Sequence, residues 1–165
     1  MKVSLLTISL FFTSAILSTI NAQQESLLIN VSATVQGSIE IETVQSINFS
    51  GVEAVGDVLT LSPVQNPNAG KMIARGLPAN EFRLEYLANR ELTHVESGRQ
   101  IPFFYIVSGN YIDDQSTSEP LEQEVRDLQF SSEGEFFLWV GGRLNIANLQ
   151  PGTYVGDFTI DIEYI

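Results

Sequence analysis

Apolar and polar residues alternate along most of the chain in short segments that turn residues separate. The clearest example is PGTYVGDFTIDIEYI at 151–165, in which Gly156 and apolar or aromatic residues fill every second position from Tyr154 to Tyr164. A period of two is typical of a β-strand with one buried face and one solvated face. This segment therefore predicts a long strand.

Comparable segments recur from residue 26 onward. SLLINVSATV alternates clearly, and further strands are predicted by SIEIETV, INF, DVLTLSP, KMIARGLPANEFRLEYLA, IPFFYIVSG and EFFLWVGGRLNI. IPFFYIVSG is apolar nearly throughout, which predicts a central strand, whereas Gly141-Gly142 predicts a bulge or tight turn. About eight or nine short strands with regular turn signals predict an all-β, immunoglobulin-like antiparallel β-sandwich.

One segment departs from this pattern. In SEPLEQEVRDLQF, the residues Leu121, Val125 and Leu128 follow helical spacing, and a serine and a proline stand where a first helical turn favours them. This pattern predicts one short helix near 119–128. The polar loop before it, GNYIDDQSTSE, has the composition of a mobile segment.

The first 22 residues, MKVSLLTISLFFTSAILSTINA, have the layout of a signal peptide: Lys2, an apolar run, and Ile20-Asn21-Ala22 as a cleavage site. An uncleaved membrane anchor is the alternative, although hydroxyl side chains interrupt the apolar run. We expect cleavage before Gln23, which leaves 143 of the 165 residues as one β-sandwich domain, 23–165, without a further membrane span. The expected location is the periplasm, the cell surface or the extracellular space.

The chain is acidic and has no cysteine, with 8 Lys and Arg against 20 Asp and Glu. Loss of Lys2 with the leader takes the net charge from −12 to −13. A chain this acidic is repelled by phosphate backbones, so we expect no nucleic acid partner. An exported domain without disulfides must be stabilised by its core alone, as is common among proteins that bacteria export.

The sequence carries no catalytic or metal-binding motif. His94 is the only histidine and is expected to be solvated on the surface, and no nucleophile elbow, zinc-protease motif or phosphate-binding loop is present. Asp113 and Asp114 have the oxygen ligands that a calcium site uses, but a solvated turn is the better interpretation of the pair. We therefore expect a non-enzymatic protein without a cofactor.

Glycine and aromatic residues recur at set positions, most densely in the C-terminal part of the chain. They comprise Ile47-Asn48-Phe49 with Gly51, Val140-Gly141-Gly142-Arg143-Leu144, Pro151-Gly152, Tyr154, Gly156, Phe158 and Tyr164. In these positions, over roughly 27–165, the chain resembles the secreted bacterial family called domain of unknown function 4402. Ser50 departs from the family pattern, in which the phenylalanine and the glycine more often adjoin, and this leaves the local turn open. The resemblance implies a β-sandwich and export, and it implies no known catalytic residue.

The end of the chain also resembles subunits of chaperone–usher pili. Those subunits end in a strand with a penultimate aromatic residue and a glycine fourteenth from the end, and Tyr164 and Gly152 hold these positions here. The resemblance implies that a periplasmic chaperone grips the C-terminal strand and that an N-terminal strand of the next subunit later completes the sandwich. The lack of a disulfide, which many such subunits carry, is a departure.

On this interpretation the protein is a non-enzymatic, exported structural protein of a pilus-like or cell-surface assembly that joins copies of itself or related subunits by β-strand pairing. The candidate residues are a donor row, Ile29, Val31, Ala33 and Val35, and a C-terminal acceptor set, Gly152, Phe158, Ile160, Ile162 and Tyr164. The alternative is a self-contained secreted module that binds glycan, protein or Ca²⁺ through loops such as GNYIDDQSTSE. In that case SLLINVSATV is simply the first strand of the domain.

Overall fold

The computed structural model describes residues 27–35 and 39–165, so the predicted signal peptide lies outside the described residues. This part of the chain is nearly all β, which confirms the predicted all-β sandwich. Its strands are β1 (Leu27–Val35), β2 (Glu40–Gln45), β3 (Ile47–Asn48), β4 (Ala54–Val55), β5 (Val58–Leu61), β6 (Gly70–Arg75), β7 (Glu81–Tyr86), β8 (Asn89–His94), β9 (Gln100–Asn110), β10 (Glu119–Leu121), β11 (Glu124–Gln129), β12 (Glu135–Asn145) and β13 (Tyr154–Tyr164). A 3-10 turn, η1 (Gln115–Thr117), lies between β9 and β10. Over the same residues, no helix has the length and apolar character needed to cross a membrane.

Hydrogen bonds connect the strands into one sheet that folds over into two facing layers. The first layer contains β11, β7, β13 and β1 in that order, and β3 pairs with the start of β1. The second layer contains β2, β6, β12, β9 and β8, and β5 with β4 continues the edge of β12 beyond β6. The short β10 pairs with the far half of β9. The layers join at one corner, where Tyr154 and Val155 of β13 pair with β8.

Aromatic side chains from both layers form the centre of the core. The ring centroids of Phe82 on β7 and Phe136 on β12 are 5.1 Å apart, and those of Phe158 on β13 and Tyr105 on β9 are 4.8 Å apart. All four residues are buried. Because period-two alternation directs one face of each strand inward, the two layers interlock along these rings. Burial of each such ring stabilises the fold by about 2 kcal/mol.

The helix predicted near 119–128 is wrong, because this segment forms β10 and β11. Val125 and Leu128 are consecutive pairing positions opposite β7, although they are three apart in the chain. Asp127 lies in the bulge between them, with a φ of 64°. The extra residue of the bulge shifts by one the positions that face inward. Val125 and Leu128, both half-buried, therefore stand three residues apart, as they would in a helix, although the backbone stays extended.

Gly141 and Gly142 do not form the predicted bulge or turn, since β12 pairs with β9 across both residues without a break in register. A Cβ on Gly141 would collide with the carbonyl oxygen of Leu61, and a Cβ on Gly142 would collide with the ring of Phe103. The two glycines therefore permit close approach of a neighbouring backbone and a neighbouring ring. The structure also adds β4, β8, β10 and β11 to the strands that the sequence predicts.

Candidate strand-pairing site

β13 carries the apolar positions of the acceptor set that the sequence predicts. These positions, Phe158, Ile160, Ile162 and Tyr164, form the acceptor row. Phe158 and Ile160 are fully buried, and Ile162 is 2% exposed. Asp157 and Asp161, on the opposite parity, are exposed. The alternation predicted for the C-terminal segment is therefore confirmed, with its apolar face against the core.

β1 lies directly beside this row. The two strands run parallel and pair at all nine residues of β1, from Leu27 to Val35. The candidate donor row is thereby in register with the acceptor strand: Ile29 opposite Gly156, Val31 opposite Phe158, Ala33 opposite Ile160, and Val35 opposite Ile162. The two rows that the sequence suggests as partners thus meet within a single molecule.

Ile29 fixes the beginning of β1. Its side chain is 1% exposed, and on its other edge it pairs with Ile47 of β3. Beyond Ile29, no strand among the described residues pairs with the outer edge of β1. Residues 36–39 connect β1 to β2, and the last of them, Ile39, is buried. Four residues between Val35 and Glu40 allow the ends of the two strands to lie at most about 18 Å apart, so β1 is tethered closely to the body of the domain.

Gly152 lies in the turn before β13 and takes no part in the ladder with β1. Its φ of 145° belongs to a region that other L-residues rarely adopt, and a Cβ at this position would collide with Nε2 of His94. Both the backbone conformation and the lack of space require glycine here. The domain itself therefore needs Gly152, whatever the strand does with a partner.

His94 is fully buried, so the expectation of a solvated surface histidine is wrong. Its Nδ1 accepts a hydrogen bond from the backbone N–H of Ser97 at 3.0 Å, which places the ring proton on Nε2. Nε2 donates to the carbonyl oxygen of Pro151 at 3.2 Å, and the ring packs edge-on against Tyr154. His94 therefore ties the turn before β13 to the end of β8. His94 lies two residues after the apolar Leu92 and therefore on the same face of the strand, and this spacing is the sequence signal that predicts its burial.

Tyr164 is half-buried and closes the opposite end of the sandwich. Its hydroxyl accepts a hydrogen bond from the backbone N–H of Leu77 at 2.7 Å, and its ring centroid lies 6.1 Å from that of Phe130. These contacts hold the connection between β6 and β7 against the end of β13. Tyr164 thus has a structural role inside the domain, in addition to the pairing role that the resemblance implies.

Two strands occupy the second edge of β13. β7 pairs antiparallel with residues 160–164, and β8 pairs with Tyr154 and Val155. With β1 on the first edge, β13 is engaged on both sides along most of its length within the described part of the chain. A strand from another molecule must therefore displace β1 to reach the acceptor row.

Tyr105 lies beneath the acceptor row, with its ring against Phe158. Its hydroxyl is buried and has no hydrogen-bond partner among the described residues. Burial raises the pKa of Tyr105 above its usual value, a nearby Arg90 lowers it, and Asp157 raises it. A buried hydroxyl without a partner destabilises the fold at this point. The sequence holds no signal for this feature, because Tyr105 continues the apolar alternation of β9.

The loop GNYIDDQSTSE, predicted to be mobile, is fastened to the body of the domain. Nε2 of Gln115 donates to two backbone carbonyls in the connection after β5, those of Pro63 at 2.7 Å and Asn66 at 2.8 Å. The hydroxyl of Ser118 bonds to that of Ser108, and both residues are buried. Many polar groups of this loop thus have partners within the domain.

Asp113 and Asp114, the candidate calcium ligands, also have partners. Asp113 forms an ion pair of 2.5 Å with Lys71. Asp114 accepts hydrogen bonds from the hydroxyl and the backbone N–H of Ser116, and these bonds lower the pKa of its carboxyl. Within residues 27–35 and 39–165, no group of three or more histidine, aspartate or glutamate side chains is arranged to hold a metal ion.

Comparison with known proteins gives no family for the chain. A scan against protein-family models finds no match, and a search of curated proteins finds no significant match either. The two resemblances found in the sequence therefore stay predictions.

Proposed function

We propose that the chain is a non-enzymatic, exported structural subunit of a pilus-like or cell-surface assembly, in which β1 of one subunit pairs with β13 of another. The observation that carries the proposal is the nine-residue ladder in which the donor row and the acceptor row lie in register. Residue pairs that fit within one molecule fit equally well between two molecules of the same sequence. The strand that completes the sandwich can then come from a neighbour.

Exchange of β1 conserves the contacts of the ladder. Because the same pairs form in both arrangements, the two differ in free energy mainly through the entropy of association and the conformation of the connection at 36–39. A short connection favours exchange when it is strained in the closed form. If each subunit donates β1 to the next, the contact is head-to-tail, and a contact of this kind that does not close into a ring generates a filament.

The register of the exchanged strand is set by its apolar positions. A slip of one residue would move every side chain of β1 to the other face of the layer. Ile29 is 1% exposed, so a slip that moved its side chain to the solvated face would remove a buried apolar residue from the core. Backbone hydrogen bonds then supply affinity, and the alternate side chains supply specificity.

Size-exclusion chromatography with light scattering on residues 23–165, beside a chain that lacks residues 23–36, tests this proposal. Exchange predicts long oligomers that resist detergent for the full mature chain and none for the shortened one. A stable monomer from the full chain, together with an unfolded shortened chain, would contradict it.

The second candidate is a self-contained secreted module that binds glycan, protein or Ca²⁺. The observation that favours it is that β1 already occupies the edge of β13 within its own molecule. On this alternative Ile29 acts only as a core residue, and Val31→Asp unfolds the monomer. A monomer that binds a ligand with its β1 in place is the outcome that supports the second candidate.

A further inference from the structure

Arg143 is unlike the other cationic side chains of the described residues. Four of these, Lys71, Arg75, Arg83 and Arg126, form ion pairs with carboxylates, and Arg90 and Arg99 donate to backbone carbonyls. Arg143 has neither kind of partner within the described part of the chain. In a protein with 20 Asp and Glu, a guanidinium without an ion pair is an unusual feature.

The guanidinium of Arg143 lies over an aromatic ring. Arg143 on β12 pairs with Phe104 on β9, and its Cζ lies 4.7 Å from the centroid of the Phe104 ring. Contact with the ring restricts the motion of the guanidinium and leaves its N–H groups available to a ligand. This arrangement reduces the entropy that a bound carboxylate would otherwise cost.

An open groove of about 610 Å³ lies beside this pair on the outer face of β12, β9 and β8. Asn89 of β8 pairs with Phe104 and therefore shares its row, and Asn145 lies two residues beyond Arg143 on β12. The Oδ1 of Asn145 accepts from the backbone N–H of Ala147 at 2.8 Å, so its amide N–H₂ is free to donate. The groove also contains Glu91, which is exposed and has no ion pair among the described residues.

The groove thus combines the guanidinium of Arg143, two amides and one carboxylate. Arg90 also lines it, but the Nε of Arg90 donates to the backbone carbonyl of Asp157. A guanidinium fork recognises a carboxylate through two parallel hydrogen bonds. Amides and a carboxylate at its flanks recognise hydroxyl groups, because a hydroxyl both donates and accepts. We propose that this groove binds a sugar acid, with its carboxylate on Arg143 and its hydroxyls on Asn89, Asn145 and Glu91.

The surrounding charge favours a ligand with a single carboxylate over a polyanion. Glu91 repels a second negative group inside the groove, and the net charge of −12 repels polyanions at longer range. A terminal acidic sugar fits this field better than an acidic polysaccharide does. The residues that line the groove belong to β5, β8, β9 and β12, so the site includes neither β1 nor β13.

NMR titration with D-glucuronate, D-glucose and acetate tests the inference, on residues 23–165 if they are monomeric and on the Val31→Asp variant of the same residues if they assemble. We expect saturable shifts at Asn89, Phe104, Arg143 and Asn145 with glucuronate, and binding weaker by at least about tenfold for glucose and acetate. Arg143→Gln should weaken glucuronate binding by about tenfold or more, whereas Arg126→Gln, which removes an arginine on β11, should leave it unchanged. Shifts that map elsewhere, or equal binding of glucose, would overturn the proposal.

Asn145→Asp provides a second variant if Arg143→Gln fails to fold. An aspartate can still accept the bond from the Ala147 N–H, while it replaces the free amide donor with a negative charge. We expect this variant to fold and to bind glucuronate about tenfold more weakly. Unchanged affinity in the folded variant would overturn the site. Acetate bound as tightly as glucuronate would also overturn it, since a simple carboxylate receptor, such as one for acidic protein side chains, would then be the better description.

Discussion

β13 has two edges, and its neighbours on them differ in kind. On one edge, β7 is antiparallel, Phe82 and Leu84 are fully buried, and Arg83 forms an ion pair of 2.5 Å with Glu163 of β13. On the other edge, β1 is parallel and pairs over nine residues. Antiparallel ladders are slightly more stable per residue than parallel ones.

On the proposed function, β7 is the permanent neighbour of β13 and β1 is the replaceable one. β7 is locked into the body because Phe82 packs against Phe136 of the facing layer and also against Phe130. β1 is an end strand on a connection of four residues, and its described core contact is Ile29. The account therefore predicts that damage to β7 unfolds the domain, whereas damage to β1 changes its assembly.

Truncation of Phe82 should have the largest effect. Phe82→Ala removes a fully buried ring, and we expect it to lower the free energy of unfolding by about 3–5 kcal/mol, as measured by urea denaturation. Arg83→Ala is the matched control on the same strand, and loss of its partly exposed ion pair should cost about 1 kcal/mol or less. Equal effects from the two variants would show that β7 is not the locked edge.

A charge in the donor row should abolish assembly and leave the body folded. Val31 pairs opposite the buried Phe158, so Val31→Asp places a carboxylate beside the apolar row. We expect a soluble monomer by light scattering, with assembly weakened on the order of 100-fold or more. Ser32→Asp, opposite Thr159 on the other parity, is the control and should assemble normally. Unfolding of the Val31→Asp monomer would favour the self-contained module.

Replacement of Gly152 should damage the turn that precedes β13. Gly152→Ala combines an unfavourable φ of 145° with a collision against His94, and we expect a loss of about 2–3 kcal/mol in thermal or urea unfolding. Gly98→Ala is the control, because Gly98 also has positive φ, 69°, but its Cβ would meet no atom within 4 Å. That variant should lose only about 1 kcal/mol. If both lose the same amount, contact with His94 does not matter.

Removal of the buried hydroxyl beneath the acceptor row should change the free energy of unfolding least, and it should raise it where the other variants lower it. Tyr105→Phe removes a polar atom that has no described partner, so we expect the free energy of unfolding to rise by about 1 kcal/mol at neutral pH. A decrease of that size would indicate that the hydroxyl makes a stabilising contact.

The same variant should also change the dependence of stability on pH. Burial raises the pKa of Tyr105 above the value of 10.0 that applies to the unfolded chain. The hydroxyl is therefore protonated in both states below pH 10, and its ionisation does not reduce the free energy of unfolding there. As pH rises above 10, ionisation favours the unfolded chain and stability falls. Wild type should therefore lose more stability than Tyr105→Phe between pH 9 and the alkaline limit of the measurement, about pH 12. Parallel pH profiles would contradict this.

Alternation in the sequence predicts the fold because the core selects one face of each strand. The strands with regular period two, above all β13 and β7, are predicted directly. β11 is not, because its bulge at Asp127 shifts the parity and imitates helical spacing. β8 is missed because its outward positions are polar and its inward positions include a histidine.

The candidate site is predictable in its residues but not in its connectivity. The two apolar rows follow from alternation, and the structure places them in register. The parallel direction of β1, and its pairing within its own molecule, follow from the topology of the chain, which side-chain periodicity does not reveal. The roles of His94 with Gly152, and of Arg143 with Phe104, arise from contacts between residues at least 39 positions apart, which periodicity cannot reveal.

Pairing of β1 in trans tests the central claim most directly. A fluorescently labelled SLLINVSATV peptide is titrated with the chain that lacks residues 23–36, and a scrambled peptide of the same composition serves as control. The account predicts saturable binding of the native peptide, a higher unfolding midpoint for the shortened chain, and no response to the scrambled peptide. If the shortened chain neither binds the peptide nor gains stability from it, β1 is an ordinary first strand and exchange is not how this protein works.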